Sequence, residues 1–274
     1  MASSSGSLQA LILAGALAVG ATGVAKAADM PAFPPSPVVE TAPQFSGWYL
    51  RGDVGYGFEE MSGFSSTAAG YVPGFAYHAS GIDGTPFIGG GFGYQVNNWF
   101  RADLTAEYRA PTHYSAFETY NNTSSGGDAY SAQIRSTVVL ANGYVDLGTW
   151  YGFTPFVGAG VGAAFHQFHG LEDVGTGPDN FGGFGTAADA NMTNFAWAAM
   201  AGIDYSISPN WRFELGYRYL DMGRVTSNGI VCQPTCAPPY EVQSFHLVSN
   251  DVRLGLRYIF AEVPPAPPPI VTKY

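Results

Sequence analysis

The sequence predicts an all-β chain: an eight-stranded antiparallel transmembrane β-barrel with short periplasmic turns and long extracellular loops. Three observations carry that expectation. Only 12% of the 274 residues are charged, about half the share of a soluble domain, while aromatics reach 15% and glycine contributes 36 residues. Segments of about ten residues alternate apolar and polar side chains, the spacing of a membrane-crossing strand. Arginine and carboxylates collect on one face of those segments, and tryptophan and tyrosine collect at their ends.

Composition removes several classes before any motif is read. Twenty-one acidic residues oppose 11 basic ones, and Lys26 and Lys273 are the only lysines. No patch can neutralise a phosphate backbone, so nucleic acid is excluded as a partner. A hydrophobic share of 46% is enough to specify a fold and argues against disorder. Residues 8–21 form an apolar run leading into Ala25-Lys26-Ala27 and Ala28-Asp29, the small-x-small pattern of a secretory cleavage site. Residues 1–27 are therefore expected to be a signal peptide cleaved after Ala27, a transmembrane anchor being the competing reading. Removing them leaves 247 residues with a net charge of −11. Proline-rich stretches at 28–46 and 261–274 read as extended periplasmic tethers flanking a barrel over 47–260. No later run approaches the roughly 18 apolar residues of a helical span, so any further crossing must use strands.

Eight strands follow in order. Residues 47–58 set Trp48, Leu50, Val54, Tyr56 and Phe58 against Arg51, Asp53, Gly55 and Gly57. Residues 87–96 alternate Ile88, Phe92, Tyr94 and Val96 with Phe87, Gly89, Gly91, Gly93 and Gln95. Over 99–110, Phe100, Ala102, Leu104, Ala106, Tyr108 and Ala110 oppose Arg101, Asp103, Thr105, Glu107 and Arg109. Residues 133–147 have strand composition but an ambiguous phase: if Asn142 and Asp146 point inward, Arg135 does not, unless a bulge shifts the register. The fifth segment, 156–165, interleaves Val157, Ala159, Val161, Ala163 and Phe165 with glycines, and the sixth, 194–207, sets Phe195, Trp197, Ile203, Tyr205 and Ile207 against Asn194, Met200, Asp204 and Ser206. In 211–220, Phe213, Leu215, Tyr217 and Tyr219 oppose Arg212, Glu214, Gly216 and Arg218. Finally, 251–260 opposes Val252, Leu254, Leu256, Tyr258 and Phe260 to Asp251, Arg253, Gly255 and Arg257. The connections at 97–98, 148–153 and 208–210 are short, and those at 59–86, 111–132, 166–193 and 221–249 are long, the asymmetry of an outer-membrane barrel.

The charges decide which face is wet. A soluble sandwich turns charge to bulk water and uses lysine freely, whereas here Arg51, Arg101, Arg109, Arg212, Arg218, Arg253 and Arg257 share faces with Asp53, Asp103, Glu107, Asp204, Glu214 and Asp251. Arginine suits confined pairing because its planar fork bonds carboxylates bidentately. Eight strands enclose an interior that side chains can fill, so the expected lumen is a plugged ion-pair network. Trp48, Trp99, Trp150 and Trp211 with Tyr258 and Phe260 would form one aromatic girdle, and Tyr56, Phe58, Tyr108, Phe165, Trp197, Tyr217 and Tyr219 the other.

Other signals point away from catalysis. The glycine runs 89–93 and 158–162 precede no helical pattern and read as small residues at crowded strand positions rather than phosphate loops. Glu59-Glu60 and Glu172-Asp173 read as solvated loop pairs. His78, His113 and His169 fall on loops and His166 and His246 flank strands, with no triad or metal spacing and no nucleophile beside a base. No enzyme, metal or cofactor is expected. Cys232 and Cys236, in a short polar segment of an exported chain, read as a small loop disulfide. The long loops hold Glu59, Glu60, Asp83, Glu118, Asp128, Glu172, Asp173, Asp179, Asp189, Asp221 and Glu241 against Arg224, an acidic and adaptable exterior.

Gly47-Trp48-Tyr49-Leu50-Arg51-Gly52, Phe100-Arg101-Ala102-Asp103-Leu104, the 154–162 glycine segment, Leu215-Gly216-Tyr217-Arg218-Tyr219-Leu220-Asp221 and Val252-Arg253-Leu254-Gly255-Leu256-Arg257-Tyr258 resemble the OmpA-like eight-stranded outer-membrane proteins, in particular the porin-family and opacity-type surface antigens of alpha-proteobacteria. The resemblance implies the outer membrane of a Gram-negative bacterium, with lipid and lipopolysaccharide as surroundings. It also implies a terminal aromatic signal, Tyr258 and Phe260, read by the barrel-assembly machinery. The 261–274 tail is far too short for the peptidoglycan-binding domain of larger relatives. Two functions are then open: a monomeric, non-catalytic structural and surface-interaction barrel with an unidentified extracellular ligand, or a narrow porin-like channel for small cationic solutes.

Overall fold

The computed structural model describes residues 46–120, 126–177, 182–233 and 238–260. The expected signal peptide and both proline-rich flanks lie outside the described residues. Eight antiparallel strands close into a ring. β1 (Gly47–Ser66) is followed by the short β2 (Ala76–Ile82), then by β3 (Thr85–Gln95), β4 (Phe100–Thr119), β5 (Gly127–Asp146) and β6 (Phe153–Thr176). A second short strand, β7 (Phe184–Ala187), precedes β8 (Ala190–Ser206) and β9 (Trp211–Thr226); β10 (Ile230–Gln233) is the third short one, and β11 (Gln243–Ile259) is last. The first and last ring strands pair from Tyr49↔Ile259 to Ser66↔Gln243, which closes the sheet. β2 pairs with β4, β7 with β6 and β10 with β7, all at the outer end.

Period-two alternation turns directly into two faces. Phe87 is 5% exposed and Ile88, its neighbour, 61%. Leu50, Val54, Phe92, Leu104, Val157, Val161, Leu215 and Leu254 are likewise exposed, while Arg51, Asp53, Arg101 and Asp103 are buried. A closed ring leaves no unpaired backbone edge, so these greasy rows can face hydrocarbon with every backbone group satisfied. Aromatic pairs mark both rims of the apolar belt. Trp48–Tyr94 and Trp211–Tyr258 lie at one rim with centroids 5.2 and 4.9 Å apart, Tyr56–Phe58 and Trp197–Tyr219 at the other, 5.2 and 5.4 Å apart. Eight residues separate Trp48 from Tyr56, about 26 Å of strand.

The inner ends turn tightly. The Asn97 carboxamide oxygen accepts from the backbone N–H of Trp99 and Phe100, and the Ser208 hydroxyl accepts from that of Trp211. Gly152, with φ +85°, follows Tyr151 in the 148–153 turn, where a left-handed conformation is needed.

The strands run well past the segments expected from periodicity, and this corrects the loop boundaries. Each of the four ascending strands carries a one-residue bulge above the outer girdle. The bulges fall between Ser62 and Ser65 in β1, Arg109 and Thr112 in β4, His169 and Glu172 in β6, and Asp221 and Arg224 in β9. Gly63, Gly170 and Gly223 have positive φ at three of them, and Pro111, which has no N–H to give the ladder, falls in the fourth. The inward phase changes there: Arg101, Asp103 and Arg109 point inward below the β4 bulge, and Thr112, Tyr114, Ala116 and Glu118 above it. In β5 the buried positions run unbroken on even numbers from Tyr130 to Asp146, so Asn142 and Asp146 are inward and Arg135 sits on the outer face. His78, His113 and His169, expected on loops, lie in β2, β4 and β6.

Candidate functional site

The interior is built in layers, each fixed by cross-strand register. Nearest the short turns, Arg51 on β1 donates to Asp53 (2.6 Å), Asp103 (3.0 Å) and Glu214 (2.9 Å). Arg101 reaches Asp146 at 3.1 Å and both Asp204 and Glu214 at 3.4 Å. Arg253 bonds Asp53 at 3.0 Å, and Arg257 pairs with Asp204. The Arg101 guanidinium also lies 4.2 Å from the Tyr144 ring centroid and 4.6 Å from that of Phe156, cation–π contacts that strengthen when water is excluded. Tyr49 donates to Asp103, and Asn142 to Asp103 and Thr105.

A second ionic layer sits at the outer girdle. Arg109 donates to Glu59 (3.0 Å), Glu107 (3.1 Å) and Asp251 (2.9 Å), and Arg218 to Glu107 (2.7 Å) and Asp251 (2.5 Å). Both guanidiniums lie over the Phe87 ring, at 5.0 and 5.3 Å. Gly57 makes room for this layer: a Cβ there would overlap the Arg109 guanidinium. Arg212 is half-buried at the inner mouth and donates to the Ser208 carbonyl at 2.7 Å. A 390 Å³ cavity there is lined by Asp146, Asp204, Arg212 and Arg257.

Above the ions the interior is apolar, which the charge pattern did not anticipate. Tyr114, Phe168 and Phe245 are buried together, Tyr114 stacking on Phe245 at 5.2 Å and meeting Phe168 edge-on at 5.6 Å, with Ile134, Leu171, Met222 and Leu247 around them. Beside this layer Ser136 and His166 do form a hydroxyl–imidazole pair, 2.8 Å apart. The His166 Nε2 hydrogen donates to the Met222 carbonyl at 3.0 Å, which leaves Nδ1 to accept from Ser136. Both residues are almost fully buried, at 3% and 1% exposure, so the pair satisfies core polarity and has no face to offer a substrate.

The outermost layer is acidic. Glu118, expected on an exposed loop, is 2% exposed at the end of β4, and Glu59 is buried too. The Tyr130 hydroxyl lies 2.7 Å from Glu118 and 2.8 Å from Glu241. Glu118 faces Asp128 across β4–β5, and Tyr130 faces Asp173 across β5–β6. Burial, and after it the Glu241 charge, pushes the Glu118 carboxyl up to about 8. Burial followed by the Asp128 and Glu241 charges takes Asp173 to about 7.

The structure therefore brings together the arginines and carboxylates named from the sequence, with Arg212 turned to the rim. Periodicity did not pick out Glu59, Tyr49, Tyr144 or the Glu118–Tyr130–Glu241 group. Tyr258 and Phe260 pack edge to face at 5.0 Å, and the Phe260 N–H donates to the Trp48 carbonyl. Cys232 is disulfide-bonded, and Cys236 lies outside the described residues.

A closed antiparallel ring with a greasy exterior between aromatic girdles and charge within is an integral outer-membrane β-barrel. The chain belongs to the outer membrane protein beta-barrel domain family, whose model matches residues 14–260, and its place is the outer membrane of a Gram-negative bacterium. An uncharacterized protein of Brucella abortus is 31% identical over 275 residues, 86% of this chain and 93% of that one. A candidate adhesin of Rickettsia conorii is 34% identical over 138 residues, 49% of this chain and 52% of that one. Among solved structures, the outer membrane protein OprG of Pseudomonas aeruginosa aligns over 81% of this chain and 97% of its own at 14% identity, with a TM-score of 0.49.

Proposed function

We propose that the protein is a non-catalytic structural and surface-interaction barrel, its lumen plugged by ion pairs and its acidic outer rim turned to the surroundings. The observation that carries this reading is the burial inside the ring of Arg101, Arg109 and Arg218 together with Tyr114, Phe168 and Phe245, all under 2% exposed. Two ionic layers and an apolar one follow one another along the interior, each filling the ring with buried side chains. The rim is acidic on its exposed side as well, with Glu60, Asp83, Glu172 and Asp189 facing out. Such a surface suits divalent cations that bridge lipopolysaccharide, and basic partners. The candidate adhesin among the relatives fits the same role. The barrel acts as a monomer and is inserted by the assembly machinery reading Tyr258 and Phe260.

Planar-bilayer recording on the refolded chain tests the plug. Stable folding, read as heat-modifiable mobility, without single-channel steps is the expected result; persistent steps overturn it. A narrow channel is the second reading, favoured by the 390 Å³ vestibule at the inner mouth. It requires a route past the Arg101–Asp204–Arg257 group and the aromatic layer, and conduction would establish it.

A further inference from the structure

The outer mouth holds a pocket that the plug does not use. A 260 Å³ cavity is lined by Glu118, Asp128, Asp173 and Glu241, by Tyr71, Tyr120 and Tyr240, and by Val72, Ile230 and Pro239. No arginine, lysine or histidine is among its described lining residues. Glu118 is 2% exposed, yet its Oε2 has no hydrogen-bond partner, and neither does Oδ1 of Asp173. A buried carboxylate oxygen left unmatched costs free energy unless a proton or a cation meets it.

Proton counting points the same way. The Tyr130 hydroxyl has one hydrogen but stands at bonding distance from both Glu118 (2.7 Å) and Glu241 (2.8 Å). It can donate to one carboxylate only, so the other contact needs a proton on the carboxyl. The remaining Glu241 oxygen already accepts from Ser66 (2.7 Å) and Gln243 (2.9 Å). The cluster therefore holds at least one proton that a cationic ligand can displace.

Ligand shape follows from spacing. Among the described residues no three acidic or histidine groups converge closely enough to hold a metal ion. The carboxylates are instead spread across neighbouring strands, Glu118 opposite Asp128 and Asp173 opposite Tyr130. A cation able to meet them together must carry its charge at more than one point, and its carbon stem would lie against tyrosine rings. We propose that this pocket binds a small aliphatic diamine or polyamine, ammonium groups on the carboxylates and methylenes between the tyrosines. The proposal rests on the surface-interaction reading for the placement of the rim outside the membrane, but it does not depend on a closed lumen.

Isothermal titration of the refolded full-length chain in detergent micelles with spermidine tests it, with magnesium chloride as the comparison. The terminal ammonium groups of such amines stay charged below about pH 9, so pH acts chiefly on the pocket's carboxyls. Saturable binding should tighten about tenfold or more between pH 5.5 and pH 8.5 as Glu118 and Asp173 lose their protons. At pH 7 binding should release protons, read as a dependence of the heat on the buffer's ionisation enthalpy. Glu118→Gln and Asp173→Asn should each weaken it at least about tenfold, while Glu60→Gln on the exposed rim leaves it unchanged. The proton release is read on the native chain, so the test survives a variant that fails to fold. Absent binding, binding insensitive to pH, or magnesium binding as tightly as spermidine overturns the proposal. Conductance without loss of spermidine binding would sink the plug and leave this site standing.

Discussion

Asp251 is fully buried on β11 and accepts from Arg109, Arg218 and the Ser249 hydroxyl. Removing it takes from both buried guanidiniums a shared partner, leaving Arg109 with Glu59 and Glu107 and Arg218 with Glu107 alone. Asp251→Ala should cost about 3 to 5 kcal/mol, the usual consequence of breaking a buried pair from one side. Urea unfolding of the refolded barrel in micelles measures this, and a loss below about 1 kcal/mol would place the pair in bulk solvent. Two glycines on β1 offer a sharper contrast. A Cβ at Gly57 overlaps the Arg109 guanidinium, whereas one at Gly52, on the lipid face, meets nothing within 4 Å. Gly57→Ala should therefore destabilise by about 1 to 3 kcal/mol as an overpacked site, and Gly52→Ala should be neutral within about 0.5 kcal/mol. Equal effects at the two positions would contradict the assignment of inside and outside.

Among the elements, β4 and β5 carry a pH-sensitive part of the rim. Glu118 keeps its proton in the fold up to about 8, against an ordinary value of 4.5. In the unfolded chain the proton leaves first, so the stabilisation is complete below about pH 4.5 and is lost as pH rises through about 8. Hydrogen exchange at the β4 and β5 outer ends, corrected for its intrinsic pH dependence, should show weaker protection at pH 8.5 than at pH 5.5. Glu118→Gln should remove the difference; a difference that persists in that variant would assign it to another group. The same elements explain what the sequence could and could not tell. Below the girdle, alternation in 99–110 or 251–260 names both faces, because membrane strands there obey a strict period of two. At Gly63, Pro111, Gly170 and Gly223 the period slips by one residue, and a slip beside glycine or proline reads as a loop. Strand continued instead, carrying Glu118 and Tyr130 inward with a phase that only the bulge sets. The ionic layers were legible because arginine on an otherwise apolar strand has few places to go; Glu59 was missed because it lies one residue past the expected strand end.

For the whole molecule, closure through β1 and β11 is what permits so apolar an exterior on so acidic a chain. The ring lets hydrocarbon meet Leu, Val and Phe, while the ions solvate one another inside. On the proposed plugged-lumen reading, the two fillings above the inner mouth act in series, so thinning one leaves the other. Phe168→Ala with Phe245→Ala should loosen the outer filling yet give no single-channel steps, because the Arg51 and Arg101 groups stay in place; steps in that double variant would show that the aromatic layer alone holds the plug. Facing direction itself is tested most directly by cysteine labelling in a Cys232→Ser, Cys236→Ser background reconstituted into bilayers. Bimane at Val54→Cys, Leu104→Cys and Leu254→Cys should be quenched by brominated lipid and not by aqueous iodide, while the thiol at Ser249→Cys, whose native serine is fully buried, should resist maleimide altogether. Iodide quenching at position 254, with lipid quenching of a readily labelled position 249, would contradict the account.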